Sequence, residues 1–104
     1  MYKIVFYVPE SHLEAVKQVM FGAGAGKIGN YDQCAWQVKG NGQFRPLSGS
    51  QAFIGEVGCL ETLEEYRVEM VCEDDLIRQV VKALVQAHPY ETPAYDVIKL
   101  VSFA

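Results

Sequence analysis

The chain has 104 residues, half of them hydrophobic, and carries 9 Lys and Arg against 13 Asp and Glu for a net charge of −4. That length suits one domain around one core, and that composition is globular rather than disordered. There is no Lys/Arg cluster and no apolar run of about 20 residues, which excludes a nucleic-acid footprint and a membrane-spanning helix. The chain opens on a strand pattern instead of the basic, apolar and small-residue regions of a leader, so a cytoplasmic location is expected. Cys34, Cys59 and Cys72 are odd in number and lack CxxC spacing. Buried free thiols are expected rather than disulfides or a zinc knuckle.

Tyr2 to Val8 is rich in β-branched and aromatic residues and predicts a strand that turns Ile4, Phe6 and Val8 to one side, with Pro9 ending it. Ser11 and Glu14 fit a capping box. Leu13, Val16, Val19, Met20 and Ala23 follow at helical spacing, so a helix is expected from Ser11 to Phe21. Gly22 or Gly24 then supplies the left-handed cap. Tyr31 to Val38 alternates as a second strand. Lys39-Gly40-Asn41-Gly42 predicts a hairpin turn with a short return arm, Gln43 to Arg45, stopped by Pro46. From Leu47 to Gly58 an irregular excursion is expected, with Phe53, Ile54 and Val57 as buried anchors. Glu65 to Cys72 reads as a core strand with Tyr66, Val68, Met70 and Cys72 on one face. Asp74 and Asp75 are placed to cap a second helix, whose apolar stripe is Leu76, Ile77, Val80, Val81, Leu84 and Val85. Pro89 stops that helix near His88, and Ala94 to Val101 forms the last strand.

The two halves repeat. Laying Tyr2 on Tyr66 also lays Ile4 on Val68, Phe6 on Met70, Val16 on Val80 and Met20 on Leu84. The order is βαβ, a hairpin insert, then βαβ, with one apolar stripe per helix. Both helices should therefore cover one face of an antiparallel sheet. This is the α+β, ferredoxin-like split-βαβ arrangement, here as a single domain over residues 1–104. A doubly wound parallel sheet needs apolar strands buried on both faces, and Arg67, Glu69 and Lys99 deny that.

Several motifs in fixed order carry a family resemblance. They are Gly24-Ala25-Gly26-Lys27-Ile28-Gly29-Asn30-Tyr31, Cys34, Gly40-Asn41-Gly42-Gln43-Phe44, Pro46, Gly49, Ile54-Gly55-Glu56-Val57-Gly58, Ala87-His88-Pro89-Tyr90-Glu91 and Ala94-Tyr95-Asp96. Across nearly the whole chain they resemble the inserted domain of the Nif-three-like (NGG-interacting factor three) proteins, a domain also seen in stand-alone YqfO-type proteins. The resemblance implies a fold similar to the PII signalling proteins and the CutA divalent-cation tolerance proteins, and a trimer of such subunits. Full-length members hold a pair of metal ions in flanking segments that have no counterpart here, so their hydrolase labels are not carried over. Gln51-Ala52-Phe53 stands where an Asn-Pro-type turn is usual, and Trp36 where Phe is common.

Two segments are candidate sites. Gly24 to Gly29 spells GxGxxG, but it follows a helix and opens a strand, the reverse of a dinucleotide site. A cap and turn is the plain reading, and a weak anion nest at Gly26, Gly29 and Lys27 is the functional one. His88-Pro89-Tyr90-Glu91 is either a helix terminus or a ligand-binding cluster. Fold topology places His12, His88, Glu91, Lys39 and Arg45 at one end of the sheet and the glycine loop at the other. Imidazole and carboxylate groups from His12, His88 and Glu91 suit a divalent metal such as zinc. With no catalytic constellation legible, the expected role is a small non-enzymatic homo-oligomer, a trimer, with a ligand-sensing or protein-interaction function and no cofactor. The partner is a second copy, a small molecule or a protein. The alternative is a metal-binding protein.

Overall fold

The computed structural model describes residues 1–103. In chain order the elements are β1 (Tyr2–Val8), α1 (Glu10–Gly22), β2 (Trp36–Phe44), β3 (Glu61–Cys72), α2 (Ile77–Ala87) and β4 (Tyr95–Lys99), with a 3-10 turn at Asp74–Leu76 leading into α2. The sheet is antiparallel throughout, in the order β2-β3-β1-β4. Strand order and helix placement are those of the split-βαβ fold, and β2 and β4 are its edges. No helix among the described residues is long and apolar enough to cross a membrane.

The core forms where the two apolar periods meet. Ile4, Phe6 and Val8 of β1 and Val68, Met70 and Cys72 of β3 project from one sheet face with period two. Leu13, Val16 and Met20 of α1 and Val80 and Leu84 of α2 come down on them with helical period. Burying one such side chain contributes about 1.5–3 kcal/mol, so these positions dominate stability. Val19 lies on the solvent side of α1, outside the stripe that was expected to include it.

The helix starts differ from the capping expected. Pro9 is the N-cap of α1 and Glu10 its first residue, because the fixed φ of proline turns the chain into the helix directly. The Ser11 hydroxyl bonds its neighbour His12 at Nδ1 (2.8 Å) instead of a backbone N–H. Neither Asp74 nor Asp75 makes a side-chain cap, and Asp74 pairs with the Met1 amine. At its other end α1 terminates on Gly24, with φ of 116°. The backbone angle favours glycine, and a Cβ there would lie 2.7 Å from Leu76 Cδ1 and push that methyl aside.

The largest correction concerns the middle of the chain. Tyr31 lies outside β2 and makes only an isolated bridge with Ile28. Gly40, Asn41 and Gly42 are not a turn but strand, paired with Glu65, Glu64 and Leu63. None of the three has a positive φ. β3 likewise begins at Glu61, earlier than expected, and the two strands run on past the end of β1 as a two-stranded arm. Each satisfies backbone groups that a turn at Asn41 would have left as a long unpaired edge. The hairpin exists, but its connection is residues 45–60. That excursion folds on itself through Ser50 N–H to Leu47 O (3.0 Å) and Gly58 N–H to Pro46 O (2.8 Å). Phe53 and Val57, expected to be buried, are 51% and 56% exposed, because the segment packs across the end of the sheet and not into the core. At the chain's other end, β4 is shorter than expected.

Candidate ligand cleft

The base of the arm, the 45–60 excursion and the segment joining α2 to β4 enclose a cleft of about 480 Å³. Each wall follows from local sequence. Pro89 forces His88 out of helical geometry (φ −70°, ψ 137°), so the chain leaves α2 extended and crosses the end of β1 as a strap. His88 holds that strap down. Its Nδ1 faces the Tyr90 N–H at 3.1 Å and must accept from it, which places the ring proton on Nε2. Nε2–H then donates to the Tyr7 carbonyl at 2.6 Å. β4 begins opposite Phe6, so Tyr7 lies beyond its last pair, and the imidazole supplies the missing donor. Burial first, with His12 adding to it against the opposing pull of the Tyr7 carbonyl, lowers the His88 pKa and keeps the ring neutral.

Tyr90 is the central ring of the cleft. Its centroid lies 4.7 Å from His88, 6.3 Å from Phe44 and 6.4 Å from Phe53. The Tyr90 hydroxyl donates to Glu65 Oε2 at 3.3 Å. Burial, reinforced by the Glu65 charge, pushes the phenol up to about 12. The Glu65 carboxylate occupies space that only glycine at 42 leaves open, since a Cβ there would overlap it. Glu91 accepts from the Gln51 N–H at 3.0 Å and ties the strap to the excursion. Phe53 meets His12 edge-on at 5.5 Å, so α1 also braces the excursion.

The sequence-predicted residues therefore divide. Tyr90 and Glu91 line the cleft, with His88 directly beneath Tyr90. His12 reaches Phe53 rather than joining His88 and Glu91 around a common point. Both His88 nitrogens are engaged, and among the described residues no group of three or more His, Cys, Asp or Glu could hold a metal ion. Gly26, Lys27 and Gly29 lie at the opposite end of the sheet. There the Gly26 N–H donates to Val71 O (2.8 Å), and those of Gly24 and Ala25 close the end of α1. All three thiols are free, as expected, but only Cys72 is buried, with Cys34 half-buried and Cys59 exposed. Burial, then Glu73 and Asp75, raises the Cys72 pKa.

Sequence reasoning missed Tyr7, Phe44, Ser50 and Glu65 as wall residues. The signal in the letters was slight, since Glu65 is one of four glutamates on β3 and only its pairing with Gly40 across the ladder brings it to the cleft.

No family model matches the chain. A GTP cyclohydrolase 1 type 2 homolog of Halalkalibacterium halodurans is 42% identical over 102 residues, covering 98% of this chain and 27% of that protein. A Bacillus cereus protein related to NIF3 superposes with a TM-score of 0.83 at 44% identity, covering 97% of this chain and 26% of its own. The PII-like protein CutA from Nostoc sp. PCC 7120 superposes with a TM-score of 0.69 at 16% identity, covering 96% of this chain and 81% of its own. By fold, then, this is a CutA/PII-like domain of the ferredoxin-like class. By sequence it is homologous to one domain-sized part of the NIF3-related proteins, and it spans 27% of the Halalkalibacterium relative it matches.

Proposed function

We propose that the chain is a non-enzymatic, homo-oligomeric module whose ligand-sensing or protein-interaction role is exercised at the cleft between arm, excursion and strap. The observation that carries this reading is the cleft itself: a concave, mainly aromatic and aliphatic site with a few placed polar groups. The residues that build it act on one another. His88 fixes the strap, Tyr90 joins strap to β3 through Glu65, and Glu91 joins strap to excursion. A ligand seated among them touches three chain segments at once. It can therefore shift the arm relative to the sheet, as a sensor requires.

Oligomerisation, as a trimer, is supported by the sheet edges. Trp36 and Val38 on β2 and Val97 and Ile98 on β4 are exposed, Trp36 by 59%. Unprotected apolar edges of this kind are normally paired or covered. Light scattering tests this part, and a mass of 11.6 kDa at micromolar concentration would refute it. The sensing part is tested by thermal-shift screening of metabolite-sized compounds. A ligand specific to the folded state raises Tm with concentration, and Tyr90→Ala should remove that response.

A further inference from the structure

The walls of the cleft have one sign of charge. Glu65 and Glu91 line it, and among the described residues no Lys, Arg or His does; Arg45 stands between the lining residues Phe44 and Pro46 without joining them. Neither Glu65 nor Glu91 takes part in an ion pair among the described residues. The rings of Tyr90, Phe44 and Phe53 line the same cleft, the last two within 6.4 Å of the first. Aromatic faces carry negative potential and attract cations, more strongly where water is excluded. The geometry points to a small organic cation as the ligand, with an ammonium or guanidinium head between Glu65 and Glu91 and an apolar body against Tyr90, Phe44 and Phe53. This rests on the reading of the cleft as the ligand site and names the chemical class that site would take.

Competing classes fit less well. A phosphate or carboxylate ligand would meet two like charges with no basic side chain to answer them. A bare metal ion would find two carboxylates and no third ligand group. A neutral apolar ligand would strip water from Glu65 and Glu91 without replacing their solvation, which is costly for any ionised group. An ammonium head supplies that replacement and has donors to spare. One of these can meet the Ser50 hydroxyl, which lines the cleft and whose buried oxygen has no hydrogen-bond partner among the described residues. The net charge of −4 further favours cation approach.

The test uses three probes of one shape: 2-phenylethylammonium, 2-phenylethanol and phenylacetate. Each is titrated into the full chain while the methyl resonances of Ala52, Ile54 and Ala94, all cleft residues, are followed by NMR. The ammonium should bind about tenfold more tightly than the alcohol, with phenylacetate weakest, as one added cation–aromatic and carboxylate contact implies. Glu65→Gln and Glu91→Gln should each reduce that preference, and together abolish it, with the remaining methyl spectrum unchanged. Equal binding of the alcohol, or tighter binding of phenylacetate, with the cleft methyls still moving would overturn the cation assignment while leaving the cleft as a ligand site. Cleft methyls that stay still with all three probes would overturn both.

Discussion

Replacing His88 by Phe isolates the contacts that hold the strap. Phe keeps the ring and its packing under Tyr90 but removes both nitrogens. The Tyr7 carbonyl loses its donor and the Tyr90 N–H loses its acceptor. An unpaired buried polar group costs ~1–3 kcal/mol. The Tyr90 N–H sits in a half-buried strap and regains some water, so the total is about 2–4 kcal/mol. For a chain of this size that lowers the urea midpoint by more than about 1 M, with m unchanged, at a fixed protein concentration. His88→Gln keeps one donor and should fall between. The pH dependence has a definite sign. The folded pKa of His88 lies below its unfolded value, so its contribution is present above about pH 6.5 and declines as pH falls below that toward the folded pKa. The Phe variant should lack this acid-side slope. A midpoint shift under about 0.3 M would mean that the strap is not held as described.

Leu84→Ala, at a fully buried position of α2, should cost about 2–5 kcal/mol in the same assay, and an unmoved midpoint would show that α2 does not pack on the sheet. Gly42→Ala should displace the Glu65 carboxylate and weaken ligand binding, whereas Gly40→Ala, which meets nothing within 4 Å, should leave it unchanged. Equal effects of the two would break the link between Gly42 and Glu65. In an alkaline spectrophotometric titration one tyrosine should lag, ionising near 12. Because its folded pKa is raised above the unfolded value of about 10, the stability it contributes is complete below that pH and is lost as pH rises through 12. Glu65→Gln should bring that phenol part of the way down, since it removes the neighbouring charge and leaves the burial in place.

What could be read from the letters follows how local each signal is. β1, α1, the second half of β3 and α2 were legible because a repeating apolar period is enough to define a buried face. Pro89 marked the end of α2 for a reason internal to the residue. The arm was not legible. Gly40, Asn41 and Gly42 have turn chemistry, and only the pairing with Leu63, Glu64 and Glu65, far along the chain, makes them strand. Local propensity lost to long-range hydrogen bonding. The capping box at Ser11 failed for the opposite reason, since a neighbour two residues earlier, Pro9, had already set the start of α1. In the cleft, Tyr90 and Glu91 announced themselves beside Pro89, whereas Glu65, Phe44 and Ser50 lie far away in sequence and join them only through the arm.

We place the ligand site at the arm cleft and not at the glycine loop. One titration decides it: methyl NMR of the full chain with a mixture of cationic, neutral and anionic metabolites, following Ala52, Ile54 and Ala94 at the cleft and Ala25 and Ile28 at the loop. A ligand in the cleft moves the first three and leaves the last two still. Movement of Ala25 and Ile28 over silent cleft methyls would contradict it.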